Sequence, residues 1–246
     1  MSFAKMAKGM QTAADFYKDE NFKLCIKHIS LYEGAGASNQ YKYKGVLYRY
    51  PFGLGLASGL SNKNLDTLQT KTIKEHRSVI HLVLNQYYVV YYRARNIHLI
   101  ENPILARCAF DILINIGNFQ AFNDGINDII PGCIKTSHGS PLDKNDIAKL
   151  NTFCKTNDIQ NLIENISFRR IQRHSKFFPY WKDYIAEAKS AGSKKINDFV
   201  KKYTDDHGQA IGNSLLRRAL TMVDGDYRTF HTQSAIEKCW TSWAII

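Results

Sequence analysis

Nothing in this chain is spaced for metal chemistry. Its 246 residues include eight histidines and five cysteines, yet no HExxH, no CxxC and no other ligand-spaced group occurs, which argues against a zinc enzyme. No metal and no cofactor is expected. The cysteines (Cys25, Cys108, Cys133, Cys154 and Cys239) are far apart and odd in number, so at least one has no partner within the monomer. Cys25 and Cys108 stand among apolar residues of helical pattern, where buried, inert thiols are the rule. Long hydrophobic runs are missing as well. The most apolar stretch, 78–92, is interrupted by His81, Asn85 and Gln86 and is too short to span a bilayer. Lysines near the N-terminus precede no apolar core segment, so a classical secretory signal is absent and synthesis in the cytoplasm is expected. There is no internal repeat and no low-complexity tract. One local absence is chemical: no Asp or Glu stands between Glu33 and Asp66.

What is present describes a packed globular chain. Hydrophobic residues make up 44% and aromatics 12%, enough for a sizeable core. Lys and Arg number 33 against 22 Asp and Glu, a net charge of +11. Such an excess favours polyanionic surroundings: nucleic acid, anionic lipid or an anionic cell-wall polymer. The basic residues are dispersed, with short clusters only at Arg169-Arg170, Lys194-Lys195, Lys201-Lys202 and Arg217-Arg218. No helix-turn-helix, RNP or zinc-finger signature accompanies them, so a nucleic-acid partner is not expected.

Periodicity predicts a helix over 10–33, in which Phe22, Ile26 and Ile29 recur on one face and Glu33 follows one turn after Ile29. Gly34-Ala35-Gly36 then lets the chain leave the helix. A carboxyl group carried toward the core-facing side and partly desolvated stays protonated near neutral pH, the state a general acid requires; a solvent-facing Glu beside a glycine cap is the plain alternative. Residues 34–62 change texture, with six glycines and with Tyr41, Tyr43, Tyr48, Tyr50 and Phe52 alternating among polar residues. This predicts a short β-hairpin or irregular lobe walled with aromatics. Helical patterning resumes from Asp66 to Tyr92 in two pieces.

A helix over 104–116, with Pro103 near its first turn, is expected to be central. Ile104, Leu105, Cys108, Ala109 and Ile112 make a wide apolar face. Arg107, Asp111 and Asn115, spaced four apart, make a polar stripe that lines a cleft or forms internal hydrogen bonds; for Asp111 the second is favoured. Residues 117–140 read as loop with short helical turns. Two further helices follow over 141–153 and 158–177, the second with Leu162, Ile163, Ile166 and Ile171 inward and Arg169, Arg170 and Arg173 outward. Ser190-Ala-Gly-Ser193 breaks the pattern, and mixed helical segments follow it. The expected organisation is a catalytic domain over 1–190 and a C-terminal helical extension over 191–246, packed on it or used for delivery or attachment.

The order of these features resembles the phage-type N-acetylmuramidases of glycoside hydrolase family 108. The residues carrying the resemblance are Glu33-Gly34 at the end of a helix, the aromatic stretch Tyr87 to Tyr92, Phe110-Asp111, and Asn115-Ile116-Gly117. Leu150-Asn151 and Ile163 to Arg173 resemble the family's closing helices. The similarity extends over about residues 15–185. The chain departs from the family at Glu-Gly-Ala-Gly, where Glu-Gly-Gly is usual. The acidic stretch and the Thr-x-x-Gly element that follow in the family are missing, the latter replaced within Tyr50 to Leu56. The resemblance implies a mainly α, lysozyme-like α+β fold: a helical bundle around a central helix, with the Gly/Tyr-rich hairpin lobe as one wall of a cleft. It also implies cleavage of the MurNAc-GlcNAc β-1,4 bond in peptidoglycan, with Glu33 as general acid.

Inverting hydrolysis needs a second carboxylate about 6.5–9.5 Å from the acid. Asp66 serves only if the lobe folds back, and Asp111 only if its stripe faces the cleft. A lytic transglycosylase avoids the requirement, because one Glu protonates the leaving oxygen and then deprotonates the muramyl 6-hydroxyl. A glycan-binding protein that kept the fold and lost the activity is the third reading. Tyr43, Tyr48, Tyr50, Phe52 and Asn115 are the candidate sugar contacts, the rings offering faces to pyranose C–H edges. The expected partners are peptidoglycan strands and, for a contact-dependent effector, a cognate immunity protein or secretion machinery. The expected site of action is the periplasm or cell wall, reached as a phage endolysin or a secreted antibacterial effector.

Overall fold

In a computed structural model of the protein, the residues described are 16–32, 40–43, 46–49, 84, 87–175, 218, 221–222 and 231–242. Their regular structure is mainly helical. The elements are α1 (Glu20–Tyr32), β1 (Gln40–Tyr43), β2 (Val46–Arg49), a π-helix (Tyr87–Arg93), a 3-10 turn (Ile97–Leu99), α2 (Pro103–Ile116), α3 (Gln120–Ile129), α4 (Lys144–Thr156), α5 (Gln160–Ser175) and α6 (Gln233–Ser242). The chain divides into two compact units, Met1–Ala94 with Ser234–Ile246, and Arg95–Gln233. The expected boundary between residues 190 and 191 lies outside the described residues.

In the first unit, the expected helix over 10–33 is interrupted. Residues 10–15 and 33 lie outside the described residues, and a turn at 17–18 precedes α1. Asp19 restarts the helix: its Oδ1 accepts the N–H of Phe22 at 2.9 Å, satisfying a donor that has no partner inside the helix. The same oxygen accepts the Tyr92 hydroxyl at 3.2 Å, which ties the start of α1 to the π-helix. Phe22, Ile26 and Ile29 are buried as their spacing predicts. Phe22 meets Tyr88 edge-on at 4.9 Å between ring centres and Tyr92 at 5.2 Å. The aromatic stretch Tyr87 to Tyr92 therefore forms core in this unit. Its i→i−5 pattern continues in the bond from Ala94 N–H to Val89 O, 3.0 Å. β1 and β2 pair antiparallel, Tyr41 opposite Tyr48 and Tyr43 opposite Val46.

In the second unit, α2 has a complete set of end signals. Asn102 Oδ1 accepts the N–H groups of Ile104 and Leu105 at 3.0 and 3.2 Å, and Pro103 occupies the first turn, where its missing N–H is not needed. Gly117 ends the helix at φ 83°, its N–H bonded to Leu113 O, in the left-handed conformation glycine adopts at least cost. Leu105 through Leu113 are all buried. α4 and α5 start at Asp143 and Asp158, each accepting a backbone N–H two residues on, at 2.8 and 3.0 Å.

Residues 117–140, expected as loop with short helical turns, contain a longer helix, the ten-residue α3. Asn123, Gly125 and Asn127 weaken helix propensity and read as loop, but each has a tertiary task. Gly125 lets α5 pass: a Cβ there would stand 2.6 Å from Ile166 Cα. Asn127 takes both backbone groups of Ile134, accepting its N–H at 2.9 Å and donating to its carbonyl at 2.7 Å. Asn123 donates to Thr136 O at 3.1 Å. Two asparagines thus supply the hydrogen bonds that a neighbouring strand would otherwise give residues 134–136.

Candidate functional site

Two places in the described structure bear on chemistry, one in each unit. The first is the C-terminal half of α1. His28 is completely buried, its ring 5.2 Å from that of Tyr32, and Ser30 is buried beside it in sequence terms, two residues on. Lys27 stands over the indole of Trp240 in α6, 4.8 Å from the ring centre. The Trp240 Nε1–H donates to Lys27 O at 3.1 Å, and the Ser30 hydroxyl donates to the same carbonyl at 2.9 Å. Glu33, the expected acid, comes directly after Tyr32 and lies outside the described residues, as do Asp66, Tyr50 and Phe52. Tyr43 and Tyr48 lie in β1 and β2.

The second place is the polar stripe of α2. Asp111 is fully buried and its two carboxylate oxygens are divided between two guanidinium groups. Arg170 of α5 binds Oδ2, and Arg218 Nε binds Oδ1 at 2.5 Å. Arg170 also donates to Asn115 Oδ1 at 3.1 Å. Both arginines are buried. Both oxygens of this buried carboxylate are thus taken by charged donors of the protein itself. Of the two expectations for the stripe, internal hydrogen bonding is the one observed. Asp111, the candidate base, is thus the centre of two ion pairs, and Asn115, a candidate sugar contact, accepts a hydrogen bond from Arg170.

Arg170, expected outward, is buried, and so is Arg218 of the short basic cluster Arg217-Arg218. One signal was legible: Arg170 follows Ile166 by four residues, the spacing of the buried face. For Arg218 there was none, because its partner is 107 residues away. Arg169 is the outward neighbour, and its guanidinium binds Asp128 at 2.6 and 2.7 Å.

A third carboxylate, Asp146 of α4, is nearly buried and accepts three hydrogen bonds on Oδ2: from Lys135 N–H at 2.8 Å, Thr136 N–H at 3.0 Å and the Thr136 hydroxyl at 2.9 Å. Burial alone would raise its pKa. The three donors and the nearby Lys149 ammonium outweigh that and hold the carboxyl below its usual range. Asp146 thus accepts as a carboxylate and pins residues 135–136 to α4. All five cysteines are free. Burial pushes the thiols of Cys108 and Cys154 up to about 11, away from the thiolate form a nucleophile needs. Among the described residues no group of His, Cys, Asp and Glu is placed to hold a metal ion, and no helix is long and apolar enough to cross a membrane.

Comparison of the chain with protein-family models, with curated proteins and with solved structures finds no match.

Proposed function

We propose that the protein is a peptidoglycan-cleaving muramidase with Glu33 as general acid, acting on a lysozyme-like scaffold at the cell wall as an endolysin or antibacterial effector. The observation that carries this reading is the burial register of α1. Phe22, Ile26 and Ile29 are buried, and Glu33 follows Ile29 in sequence by one further helical turn. The antiparallel pair β1–β2 comes next in the chain, the order in which the resembled muramidases place acid and lobe. In that scheme the hairpin lobe walls the cleft, and Tyr43, Tyr48, Tyr50 and Phe52 offer ring faces to the sugars. The net charge of +11 retains the protein near anionic wall polymers, an attraction that salt weakens.

A specific observation favours lytic transglycosylation as the second reading. The segment after Glu33 has no carboxylate before Asp66, and Asp111 is committed to two arginines. A mechanism in which one Glu acts as acid and then as base needs no further carboxylate.

The test is digestion of purified peptidoglycan by wild-type protein and Glu33→Gln, with soluble products read by mass spectrometry. Reducing muramyl ends, lost by at least about a hundredfold in Glu33→Gln, are the expected result for hydrolysis. Products lighter by one water move the mechanism to transglycosylation. A folded wild-type protein that releases nothing leaves the glycan-binding reading.

A further inference from the structure

Asp111 holds two cations, and the two are not anchored alike. Arg170 binds Oδ2 from inside α5 and also donates to Asn115 Oδ1 at 3.1 Å. It therefore meets α2 at two points one turn apart. Arg218 meets Oδ1 through Nε at 2.5 Å and stands 107 residues from its partner. Residues 218, 221 and 222 are helical, and Arg218, Thr221 and Met222 are buried. Four residues after Arg218, the Met222 sulfur accepts the Cys108 thiol at 3.7 Å. Arg218 is thus set against Asp111, and Met222 against Cys108. The order is reversed on the two sides, so the chain from Arg218 to Met222 runs antiparallel to α2.

We infer that residues 218–222 are a strap on α2 that opens by itself while α2 and α5 stay packed. The unequal anchoring of the two arginines supplies the reason. When Arg218 leaves, Asp111 keeps Arg170, so the buried carboxylate retains a cation. The departing guanidinium passes into water, which solvates it. Withdrawing Arg170 would instead part α5 from α2 and break the bond to Asn115 as well. Under the strap lies a chemical reporter. Cys108 is completely buried and its thiol is in no disulfide. Burial pushes that thiol up to about 11, whereas a thiol in water titrates at about 8.5. Opening lifts Met222 from the sulfur, and alkylation of Cys108 then records it. The strap is independent of any role of Glu33.

The experiment follows Cys108 alkylation and α5 amide exchange in full-length wild-type protein, Arg218→Met and Arg170→Met. Each is measured across a urea series below the unfolding transition. Methionine keeps an apolar stem like that of arginine and removes the charge. In wild type, Cys108 alkylation is expected to rise with urea less steeply than global unfolding, because an opening strap exposes less surface. Exchange in α5 is expected to follow the global slope. In Arg218→Met, Cys108 alkylation is expected to quicken about tenfold, the effect of losing one charge-assisted hydrogen bond, with α5 exchange unchanged. In Arg170→Met both are expected to quicken together. Equal urea slopes for Cys108 and α5 in wild type would overturn the strap. So would equal quickening of both in Arg218→Met, no quickening of Cys108 there, or unchanged α5 exchange in Arg170→Met. The wild-type slopes decide the matter even where a variant fails to fold.

Discussion

Arg170 and Glu33 occupy the same position in their local patterns, four residues after a buried isoleucine. Arg170 is turned inward onto Asp111. A charged residue at such a site needs a partner, because an uncompensated buried charge costs several kcal/mol. Asp111 meets the need with the help of Arg218. Asp146 illustrates the opposite case, a carboxylate whose donors are backbone and hydroxyl groups. Its folded pKa lies below the unfolded value of about 3.9. The stability it contributes is therefore present above the unfolded value and is lost as pH falls through the depressed folded one. The expected outcome is acid unfolding that begins below about pH 4. Asp146→Asn is expected to lower stability at neutral pH and to flatten its decline in acid, checked by denaturant unfolding between pH 2 and 7. An unaltered pH dependence would exclude Asp146 as a contributor.

Elements in the second unit are held together where local preference is weakest. α3 contains a glycine at its centre, and that glycine is the point at which α5 crosses it, with Ile166 Cα 2.6 Å from where a Cβ would lie. Gly125→Ala would raise helix propensity by about 1 kcal/mol in isolation. In the protein it is expected to destabilise by about 1–3 kcal/mol, since backbone rather than a flexible side-chain end must move. Thermal or denaturant unfolding decides the sign, and a gain in stability would show that α3 and α5 separate readily. Asn165, one residue before Ile166, donates to Gly125 O at 2.8 Å, so the crossing is fixed by a hydrogen bond at the same point. The glycine and asparagines that make 117–140 read as loop are thus the residues that allow a helix to pack there.

For the whole molecule, the C-terminal fifth of the chain contributes to both units. Arg218, Thr221 and Met222 are buried in the second, where the Cys108 and Met222 sulfurs lie 3.7 Å apart. Ile236 and Trp240 belong to the first. A chain ended at residue 190 would strip Arg218 from Asp111 and Trp240 from Lys27. It is expected to lose cooperative unfolding and to expose apolar surface, checked by calorimetry and dye binding; an intact cooperative transition would show residues 191–246 to be a separable extension. Sequence pattern was sufficient for the helical class, for α2 with Pro103 in its first turn, for the buried face of α1, and for Leu162, Ile163 and Ile166 on the inward side of α5. These follow from local geometry and from signals within one or two turns. The partners of Asp111, the helix around Gly125 and the hold of Trp240 on α1 were decided only in three dimensions. Each depends on a group far away in the chain, and periodicity reports which face is buried without reporting what lies against it.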